Sequence, residues 1–313
     1  MLTENKTITQ KSSANTSPLE FEWHIQVNDD SCTVMSALEK QSQLVKSKLS
    51  KTELKQAISK GALWLTPVKN KKQTQRLRRV KRTLSQGDEL HFYYNPEVLS
   101  TPCPEARLIE DLGDYSVWYK PYGMLSQGSK WSDHCTISRF AQQNLPNERP
   151  SFIVHRLDRA ATGLILIAHT KTAARALSAM FEHHRLEKVY NIIVHGNHNK
   201  HSQPEVVNLA IEGKSARSTF TCLQYDKALD QSLIEVKIDS GRKHQIRIHA
   251  ASIGLPVVGD RLHGKAKADE QRNLQLCAVS LRFNCPVRKD TDQDNGLNLM
   301  RYFELPEKLK PQL

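Results

Sequence analysis

Asp158 is the side chain in this sequence that is best placed to do chemistry, because it stands between two cations at the end of an apolar run. Residues 152–154 are apolar, as in a buried strand, and Arg156 and Arg159 bracket the carboxylate. Nearby positive charge favours the ionised form, so the sequence predicts a lowered pKa for Asp158. Such a group is a nucleophile or electrostatic stabiliser, or it is a salt-bridged residue that fixes a loop. Considered alone, the segment favours the loop-fixing interpretation.

Other patterns that could do chemistry are incomplete. Residues 213–215 read Gly-Lys-Ser, as at the end of a phosphate-binding loop, but the glycine required five residues earlier is Asn208. His195, His198 and His201 have metal-ligand spacing, but no cysteine or carboxylate lies among them, which favours a solvated loop. The chain has neither a GxSxG elbow nor a dinucleotide-binding fingerprint. The sequence therefore predicts no metal site and no cofactor.

The segments that position these residues predict an α+β fold. Apolar runs bounded by turn residues predict strands, and apolar residues at helical spacing predict helices. The predicted strands cover residues 115–119, 152–155, 164–167, 188–194, 220–223 and 233–238, and the predicted helices cover 173–181 and 242–253. Strands joined by short turns with interspersed helices favour a largely antiparallel sheet over regular βαβ alternation.

Four segments are expected along the chain. Residues 1–30 are polar and are expected to be mobile, and residues 31–95 are expected to form a small basic domain. Residues 96–106 contain three prolines and are expected to be a linker to the larger domain, residues 107–313.

Composition limits the class of protein. Apolar residues make up 38% of the 313 residues, and the net charge of +12 indicates a polyanionic partner, with nucleic acid first and an acidic membrane surface second. Six dispersed cysteines without a CxxC pair are typical of free thiols in a reducing cytoplasm. We expect neither a membrane span nor a secretion signal, because no apolar run is long enough.

The positive charge is concentrated in residues 40–87, which contain fourteen Lys or Arg and one acidic residue, Glu53. This stretch is expected to be folded, because Ser50 and Glu53 form a capping box at a helix start and Gly61 ends that helix. A strand is expected next, at residues 63–65. A folded unit with this charge excess favours nucleic-acid binding over a merely solvated surface.

Five sequence blocks resemble, in order, the motifs of the RluA-type RNA pseudouridine synthases. Residues 154–170, VHRLDRAATGLILIAHT, are similar to the family's HRLD block, and residues 240–264, SGRKHQIRIHAASIGLPVVGDRLHG, match its HQIR block at nearly every fixed position. The three shorter blocks are YKPYGMLSQ (119–127), LEKVYNIIVHG (186–196) and GKSARSTFTCL (213–223). The resemblance spans residues 107–285 and implies the family's mixed, largely antiparallel sheet with flanking helices.

The basic region resembles an S4 RNA-binding domain. Its order of helix, KGALWL strand, basic loop and LSQGDEL turn follows that family, although Thr66 and Pro67 replace the usual Asn-Gly. The resemblance implies a small S4-like α/β N-terminal domain that binds RNA.

The pseudouridine synthase resemblance implies an isomerase that acts on uridines in RNA without a metal or cofactor. In this reaction the N1–C1′ bond breaks, the base rotates, and C5 attaches to C1′. Asp158 is the implied essential carboxylate, and it either adds to C1′ or takes the 2′ proton. Tyr190 is implied to stack on the uracil and to assist deprotonation at C5, while Arg247 pairs with Asp158. Arg156 is implied to enter the RNA stack when the base is flipped out.

Further basic and polar residues are expected to contact RNA, and Asp260 is expected to order the site from a turn. The expected RNA-contacting residues are Arg156, Arg159, His155, Arg242, His244, Gln245, Lys120, Lys55, Arg78 and Arg79.

Four positions depart from the family pattern. Ala161 replaces a Thr, Thr162 replaces a Ser, His263 replaces a Tyr, and Tyr119 replaces an Asn. The chemistry requires none of the missing groups, but the hydroxyl lost at position 161 could change how the catalytic loop is held.

The RNA target stays open between large-subunit ribosomal RNA of the 23S type, which the S4-like unit slightly favours, and transfer RNA. A catalytically silent RNA-binding or ribosome-assembly factor is the alternative function, although the retained Asp158 disfavours it. A glycoside or nucleoside hydrolase would need a second positioned acid, and the matched blocks offer none.

Overall fold

The structure is a computed structural model that describes residues 20–45, 48–198, 204–264, 271–287 and 299–313. The chain divides into two compact units. The N-terminal unit holds the described residues up to Cys103 together with Gly128–Thr136, and the C-terminal unit holds those of 104–127 and 137–313. Most of the expected mobile segment, residues 1–19, lies outside the described residues.

The described part of the N-terminal unit is an antiparallel sheet with helices packed against it. Its helices are α1 (Val34–Leu44), α2 (Lys51–Ser59) and α3 (Pro96–Ser100), and its strands are β1 (Phe21–Gln26), β2 (Leu63–Thr66), β3 (Gln75–Arg76) and β4 (Glu89–Tyr94). The strand order is β1-β4-β2-β3. Leu38 of α1, Leu54 of α2 and Phe92 of β4 belong to one buried apolar cluster.

Helix α2 forms as the sequence predicts. The Glu53 N–H donates to Ser50 Oγ at 3.3 Å, and Glu53 Oε2 accepts from the Ser50 N–H at 2.7 Å, which completes the capping box. Leu54 and Ala57 of this helix are buried. Gly61 follows with φ of +91°, a left-handed conformation that glycine adopts without a Cβ clash.

Two segments that were expected to lack structure are ordered elements. Residues 21–26, which the sequence placed in the mobile segment, form β1 and pair along their whole length with β4. Apolar and polar side chains alternate along this strand, so one face, including Trp23, packs into the core. Residues 96–100 of the expected linker form α3, because Asn95 caps its free N–H groups and a proline suits its first turn.

The described part of the C-terminal unit is one large sheet with helices on both faces. Its strands are β5 (Arg107–Asp111), β6 (Tyr115–Lys120), β7 (Phe152–Ile153), β8 (Thr162–Ala168), β9 (Leu186–His195), β10 (Glu205–Val207), β11 (Ser218–Asp226), β12 (Gln231–Ile238), β13 (Leu276–Asn284) and β14 (Met300–Glu304), and its helices are α4 (Ile137–Asn144), α5 (Lys171–Glu182) and α6 (Gln245–Ser252). The strand order is β10-β11-β12-β9-β13-β8-β6-β5, with β14 on β13 and β7 on β8.

This arrangement confirms the predicted α+β class. Among the described strand pairs of the sheet, β13–β8 is parallel and the others are antiparallel. The six predicted strands and two predicted helices all have counterparts, although the strand at 152–155 ends at Ile153 and the helix at 242–253 begins at Gln245. No helix within the described ranges is long and apolar enough to cross a membrane.

Strand β8 shows how the sheet is covered on both faces. Ile165 and Ile167 belong to one apolar cluster, together with residues of α4 and α6. Leu164 and Leu166 point to the opposite face and join a second cluster with residues of α5. Because successive side chains of a strand alternate between faces, an unbroken apolar run is what a strand buried on both sides requires.

Gly163 fixes the place where β8 meets β13. Its φ is +114°, and a Cβ at this position would lie 2.3 Å from the Ala278 carbonyl oxygen. Only glycine allows so close an approach of the two backbones. The loop that carries Asp158 ends at this crossing.

The segment Gly128–Thr136 belongs to the N-terminal unit, although its flanking residues belong to the C-terminal unit. The Arg76 guanidinium of β3 pairs with Asp133, with Nε 3.3 Å from Oδ2. The Trp64 indole N–H of β2 donates to the Lys130 carbonyl at 2.9 Å. These contacts tie the segment to two strands of the N-terminal sheet.

The histidine cluster of the sequence does not form a solvated loop throughout. His198 is fully buried, with its Nε2 3.5 Å from a Glu205 carboxylate oxygen. His195 is the last residue of β9, and His201 lies outside the described residues. The carboxylate that meets His198 comes from the following strand, so it could not be seen in the local spacing.

Candidate active site

A cavity of about 1440 Å³ opens in the C-terminal unit around the segment that carries Asp158. Its walls come from the loop between β7 and β8, the start of β9, helix α5 and the residues just before α6. Asp158, Tyr190 and Arg156 all line it. The structure therefore brings Tyr190 to the same cavity as Asp158 and Arg156, which precede it by more than thirty residues.

Asp158 lies in the middle of a loop, and not at the end of a strand as its sequence context suggested. Strand β7 ends at Ile153, so four residues separate it from the aspartate. Ser126 holds the loop by two hydrogen bonds: its Oγ donates to the Leu157 carbonyl at 2.7 Å and accepts from the Leu157 N–H at 3.0 Å. The Asp158 side chain remains 33% exposed and can reach a ligand.

The departure at position 161 is accommodated by packing. Ala161 is buried in the same apolar cluster as Leu157, so a methyl group fits where a hydroxyl would need a partner. The Ala161 N–H donates to the Asp158 carbonyl at 3.1 Å, and Thr162 Oγ1 donates to the Leu276 carbonyl at 3.3 Å. Backbone bonds and one remaining hydroxyl therefore hold the loop.

Arg247 joins Asp158 to a second, buried carboxylate. Its Nη1 lies 3.5 Å from Asp158 Oδ2, while its Nε and Nη2 donate to the two oxygens of Asp260 at 2.8 and 2.6 Å. Both Arg247 and Asp260 are almost completely buried. A bidentate pair of this kind fixes the plane of the guanidinium, so Arg247 faces Asp158 in one orientation.

Asp260 is anchored in turn by the backbone. Its Oδ1 accepts from the N–H groups of Leu262 and His263, both at 3.0 Å. Burial raises the pKa of Asp260, but the hydrogen bonds from Arg247 and these two N–H groups outweigh it, and the net shift is downward. Burial likewise lowers the pKa of Arg247, yet the carboxylates of Asp260 and Asp158 raise it overall. Both partners therefore stay ionised.

His244 is a second neighbour of Asp158. It precedes α6 with a left-handed φ of 56°, and its Nε2 lies 3.7 Å from Asp158 Oδ2. Its Nδ1 is 2.9 Å from His263 Nε2. The histidine that replaces the family's usual Tyr at position 263 is therefore a hydrogen-bond partner of this ring. Burial lowers the pKa of His244, with Arg247 and His263 adding to the effect and Asp158 opposing it. The cations that meet Asp158 are thus Arg247 and, when protonated, His244, and not the bracketing arginines.

Tyr190 stands in the centre of the sheet with its ring at the cavity. Strand β9 places it between β12 and β13, opposite Val236 and Ala278. Burial raises the pKa of the Tyr190 phenol, and the charge of Asp158 raises it further. The phenol is therefore neutral at physiological pH.

Lys120 was expected to contact RNA, but its side chain is fully buried. Its ammonium donates to the carbonyls of Pro121 at 3.1 Å and Met124 at 2.8 Å, and reaches that of Arg159 at 3.5 Å. Burial lowers the pKa of Lys120 to about 7, while the charge of Asp158 opposes the shift. Lys120 therefore links the loop after β6 to the loop that carries Asp158.

Gln245 was also expected to contact RNA, and it too bonds within the protein. Its Oε1 accepts from the Ser240 hydroxyl at 2.7 Å and the Arg242 N–H at 3.1 Å. Its Nε2 donates to the Arg217 carbonyl at 2.9 Å and to Ser218 Oγ at 3.1 Å. Two of these bonds stay within the turn that precedes α6, and two reach the start of β11, so Gln245 ties the turn that presents His244 to the sheet.

His155 differs from the expectation in the same way. Its Nε2 accepts from the Leu166 N–H at 2.9 Å, and its ring stacks on Phe181 with centroids 4.1 Å apart. Burial, together with the charge of Lys188, lowers the pKa of His155 to about 3. A neutral, stacked imidazole holds the loop against β8 and α5.

The remaining expected RNA contacts lie on surfaces. Arg156 and Arg159 are exposed, and Arg242 lines the cavity while its Nε donates to the Ser215 carbonyl at 3.2 Å. In the N-terminal unit, Lys55 and Arg79 are exposed, whereas Arg78 pairs with Asp133. Arg78 is therefore partly neutralised and holds the segment Gly128–Thr136.

Lys188 is a cavity residue that the sequence did not single out. Its side chain lines the cavity, and the residue is only 8% exposed. Its ammonium makes no hydrogen bond or ion pair with the described residues, and burial lowers its pKa. Its position two residues before Tyr190, on the same face of β9, was the available signal.

The chain resembles known proteins over most of its length. The family model described as RNA pseudouridylate synthase matches residues 114–252. A protein of Aquifex aeolicus named as an uncharacterized RNA pseudouridine synthase is 30% identical in a 269-residue alignment that covers 76% of this chain and 83% of that protein. Ribosomal large subunit pseudouridine synthase D of Borreliella burgdorferi is 27% identical, covering 68% of this chain and 72% of that protein. tRNA pseudouridine synthase C of Yersinia pestis is 30% identical, covering 54% of this chain and 77% of that protein.

A solved structure shares the fold. Human RNA pseudouridylate synthase domain containing 1 superposes with a TM-score of 0.51 at 23% identity, over 65% of this chain and 84% of that chain.

Proposed function

The chain belongs to the RNA pseudouridine synthases, isomerases that act on RNA, and on this premise we propose that Asp158 is the carboxylate that begins the reaction. The observation that carries the proposal is the placement of Asp158 Oδ2 at the cavity, 3.5 Å from Arg247 Nη1. A carboxylate in this position has a fixed guanidinium beside it and faces whatever enters the cavity.

The reaction needs such an anion at its first step. The carboxylate either adds to C1′ as the N1–C1′ bond breaks or removes the 2′ proton, and in both cases an ionised oxygen must approach the ribose. The freed uracil then rotates and C5 bonds to C1′. In the first route the bond between the carboxylate oxygen and C1′ breaks in this step, and in the second route the carboxyl group returns its proton to C2′. The proton on C5 then leaves, and N1, which has lost its bond to C1′, ends with a proton in the product. Atoms and electrons balance within the nucleotide, so the steps need no outside oxidant or reductant.

Arg247 is the positioning residue in this proposal. Asp260 occupies two of its nitrogens, so Nη1 faces Asp158 without freedom to turn away. A preorganised donor of this kind stabilises charge without reorganising during the reaction. Asp260 therefore acts on the chemistry only through Arg247.

Tyr190 is the surface on which the uracil stacks. A neutral phenol whose pKa is raised by burial and by Asp158 is a poor base, which favours stacking over deprotonation at C5. Base–aromatic stacking stabilises a bound base by about 1–3 kcal/mol and tolerates rotation of the ring during the reaction.

The cavity suits a nucleotide that is flipped out of its RNA. At 1440 Å³ it is larger than the roughly 300–1,000 Å³ of small-molecule sites. Arg156, Arg159 and Arg242 supply positive charge at or beside the opening, where the phosphates flanking the target would lie. Lys188 is a buried cation without a carboxylate partner in the described residues, and a phosphate oxygen of the flipped nucleotide is the anion that it would meet.

Large-subunit ribosomal RNA is the substrate that we propose first. Relatives named for the ribosomal large subunit align with 68% and 40% of this chain, and relatives named for tRNA align with 44%, 54% and 61%, so the choice rests on the N-terminal unit. The N-terminal unit, with its exposed Lys55 and Arg79, adds a basic surface for a large folded RNA.

The test is to incubate the protein with 23S-type ribosomal RNA and with tRNA transcripts, and to map pseudouridine in each by mass spectrometry. Pseudouridine at a defined uridine of the ribosomal RNA supports the proposal. Modification of tRNA alone would move the target to tRNA, while unmodified RNA or free uracil would contradict the assignment of Asp158.

A further inference from the structure

A cluster of metal-ligand side chains lies in the N-terminal unit, on the face of its sheet formed by β1 and β4. One nitrogen each from His24 and His91 and one carboxylate oxygen from Glu89 all lie within 4.8 Å of one another. The two Nδ1 atoms are 2.8 Å apart, and His91 Nδ1 is 4.0 Å from Glu89 Oε1. Asp158 and its cavity belong to the C-terminal unit, so this cluster is not part of the site described above.

Strand pairing brings the three residues together. His24 of β1 stands directly opposite His91 of β4 in the antiparallel register. Glu89 precedes His91 by two residues, and alternate residues of a strand share a face. The ligand set is therefore set by backbone hydrogen bonds and does not depend on a flexible loop.

We propose that His24, Glu89 and His91 bind one divalent transition-metal ion of the zinc class. Two imidazole nitrogens and one carboxylate oxygen are a ligand set that suits zinc, whereas magnesium and calcium prefer oxygen alone. Three protein ligands leave a fourth tetrahedral position for water.

The outer nitrogen of each ring has a polar neighbour, and that of His91 is hydrogen-bonded. His91 Nε2 is 2.8 Å from Thr66 Oγ1, and Thr66 Oγ1 is 2.7 Å from Thr74 Oγ1. His24 Nε2 lies 3.7 Å from Glu22 Oε2. The Thr66 hydroxyl can accept the His91 Nε2–H, which leaves the Nδ1 lone pair of that ring free for a metal, and such partners orient the ligands in known metal sites. Glu22 is near His24 Nε2 but too far away to hydrogen-bond to it.

The distances need only a small adjustment. Ligand atoms about 2.0–2.1 Å from zinc at tetrahedral angles are about 3.3 Å apart, so the two Nδ1 atoms would separate by about half an ångström. Glu89 Oε1 would move closer to both by a side-chain rotation. The His24 and Glu89 side chains are 43% and 33% exposed, which gives the ion a path from solvent.

The bare alternative is a single hydrogen bond between two imidazoles. That bond uses one Nδ1–H and one lone pair, and it is exposed on the His24 side, so water competes with it. It gives no role to Glu89, whose carboxylate stands on the same face beside both rings.

The experiment uses the full, tag-free chain after treatment with a chelator. Zinc chloride is titrated by calorimetry, and cobalt(II) is used as an absorbing probe in place of zinc. We expect one saturable equivalent, a tetrahedral cobalt spectrum without a thiolate charge-transfer band, and a higher thermal midpoint in zinc. His24→Gln and His91→Gln should each weaken binding at least about 100-fold, and Thr66→Val should weaken it about 10-fold.

His183→Gln is the matched control, because His183 is exposed on α5's C-terminal end and lies outside the cluster. Circular dichroism and the metal-free thermal midpoint establish that each variant is folded. Non-saturating uptake, a thiolate band, or equal losses in His183→Gln and His24→Gln would overturn the proposal.

Discussion

Arg247 and Asp260 form a buried bidentate pair, with the two nitrogen–oxygen distances at 2.8 and 2.6 Å. The third guanidinium nitrogen, Nη1, is the one that faces Asp158 at 3.5 Å. Asp260 therefore fixes the orientation of Arg247, the neighbour of the proposed catalytic Asp158. Asp260 itself is 1% exposed and does not line the cavity. Asp158 is thus placed to contact the substrate, whereas Asp260 acts only through the side chain of Arg247.

Asp158→Asn should remove pseudouridine formation while leaving RNA binding within about threefold, because the amide keeps the size but loses the anion. The loss in turnover should be on the order of 10²–10⁴-fold or more. Single-turnover assays and filter binding measure the two effects. Glu110→Gln, an exposed carboxylate of β5, is the control and should change neither. Turnover near the wild-type rate in Asp158→Asn would remove that residue from the mechanism.

Asp260→Asn should lower both stability and turnover, because it leaves the Arg247 guanidinium buried beside a neutral group. Breaking a buried ion pair costs about 3–5 kcal/mol of unfolding free energy. We expect kcat to fall with little change in KM, since Asp260 does not line the cavity. Urea unfolding and steady-state kinetics measure the two effects. A change in KM with an unchanged kcat would argue that Asp260 contacts the RNA directly.

His155 should make the protein less stable as the pH falls. Its pKa is lowered to about 3 in the folded state, so the unfolded chain, with a histidine pKa of about 6.5, takes up a proton first. The stabilising contribution of the neutral ring is complete above about pH 6.5 and is lost as the pH falls toward 3, by no more than about 5 kcal/mol.

Urea unfolding of wild type and His155→Gln at several pH values checks this. The amide keeps an acceptor for the Leu166 N–H and cannot titrate, so the variant should lose less stability between pH 6.5 and 4. His183→Gln, an exposed histidine, should keep the wild-type slope. Parallel slopes for wild type and His155→Gln would show that this ring does not titrate as stated.

Gly163→Ala should displace β8 from β13 and disturb the Asp158 loop. The new methyl would meet the Ala278 carbonyl oxygen at 2.3 Å, in addition to strain at a φ of +114°. Gly213→Ala is the control, since Gly213 also has a positive φ, of +74°, but has no atom within 4 Å of its Cβ position. Backbone strain alone costs about 1–3 kcal/mol, so a loss of unfolding free energy beyond that range in Gly163→Ala measures the clash with Ala278. Equal losses of unfolding free energy in the two variants would show that β8 and β13 move apart to accommodate the methyl group without cost.

Lys188→Met should weaken RNA binding and reduce its salt dependence. If Lys188 meets one phosphate, the slope of log affinity against log salt should fall by about 0.7–0.9. The variant should be as stable as wild type or more stable, because it removes a buried charge. Lys171→Met, at the exposed start of α5, is the control. An unchanged slope in Lys188→Met would place the phosphates elsewhere.

Local signals in the sequence predict much of the fold. The capping box at Ser50 and the apolar run in β8 act through neighbouring residues, so they can be read without knowing the rest of the molecule. Strand β1 was missed because its alternation is short and stands in a polar context, and pairing with β4 supplies most of its stabilisation. Residues distant in sequence thus decide the elements that local patterns leave ambiguous.

The site was predictable only in part, and through resemblance. Asp158 and Arg247 come from recognised blocks, and the structure places them side by side. The sequence did not predict which side chains are buried. Lysine is usually a surface residue, but three backbone carbonyls around the Lys120 ammonium compensate for its desolvation. The neighbour His244 and the cluster of His24 with His91 depend on the positions of other strands, which spacing along the chain does not reveal.

The return of the chain to the N-terminal unit at Gly128–Thr136 has a practical consequence for dissecting the protein. A fragment cut to begin at residue 104 would retain this segment but discard Trp64 and Arg76, which hold it. Its Asp133 would lose its arginine partners while remaining covalently attached between Gln127 and Ile137. Truncation from the N-terminus therefore does not remove the whole N-terminal unit. Loss of activity in such a truncated protein would not by itself measure the contribution of that unit to RNA affinity.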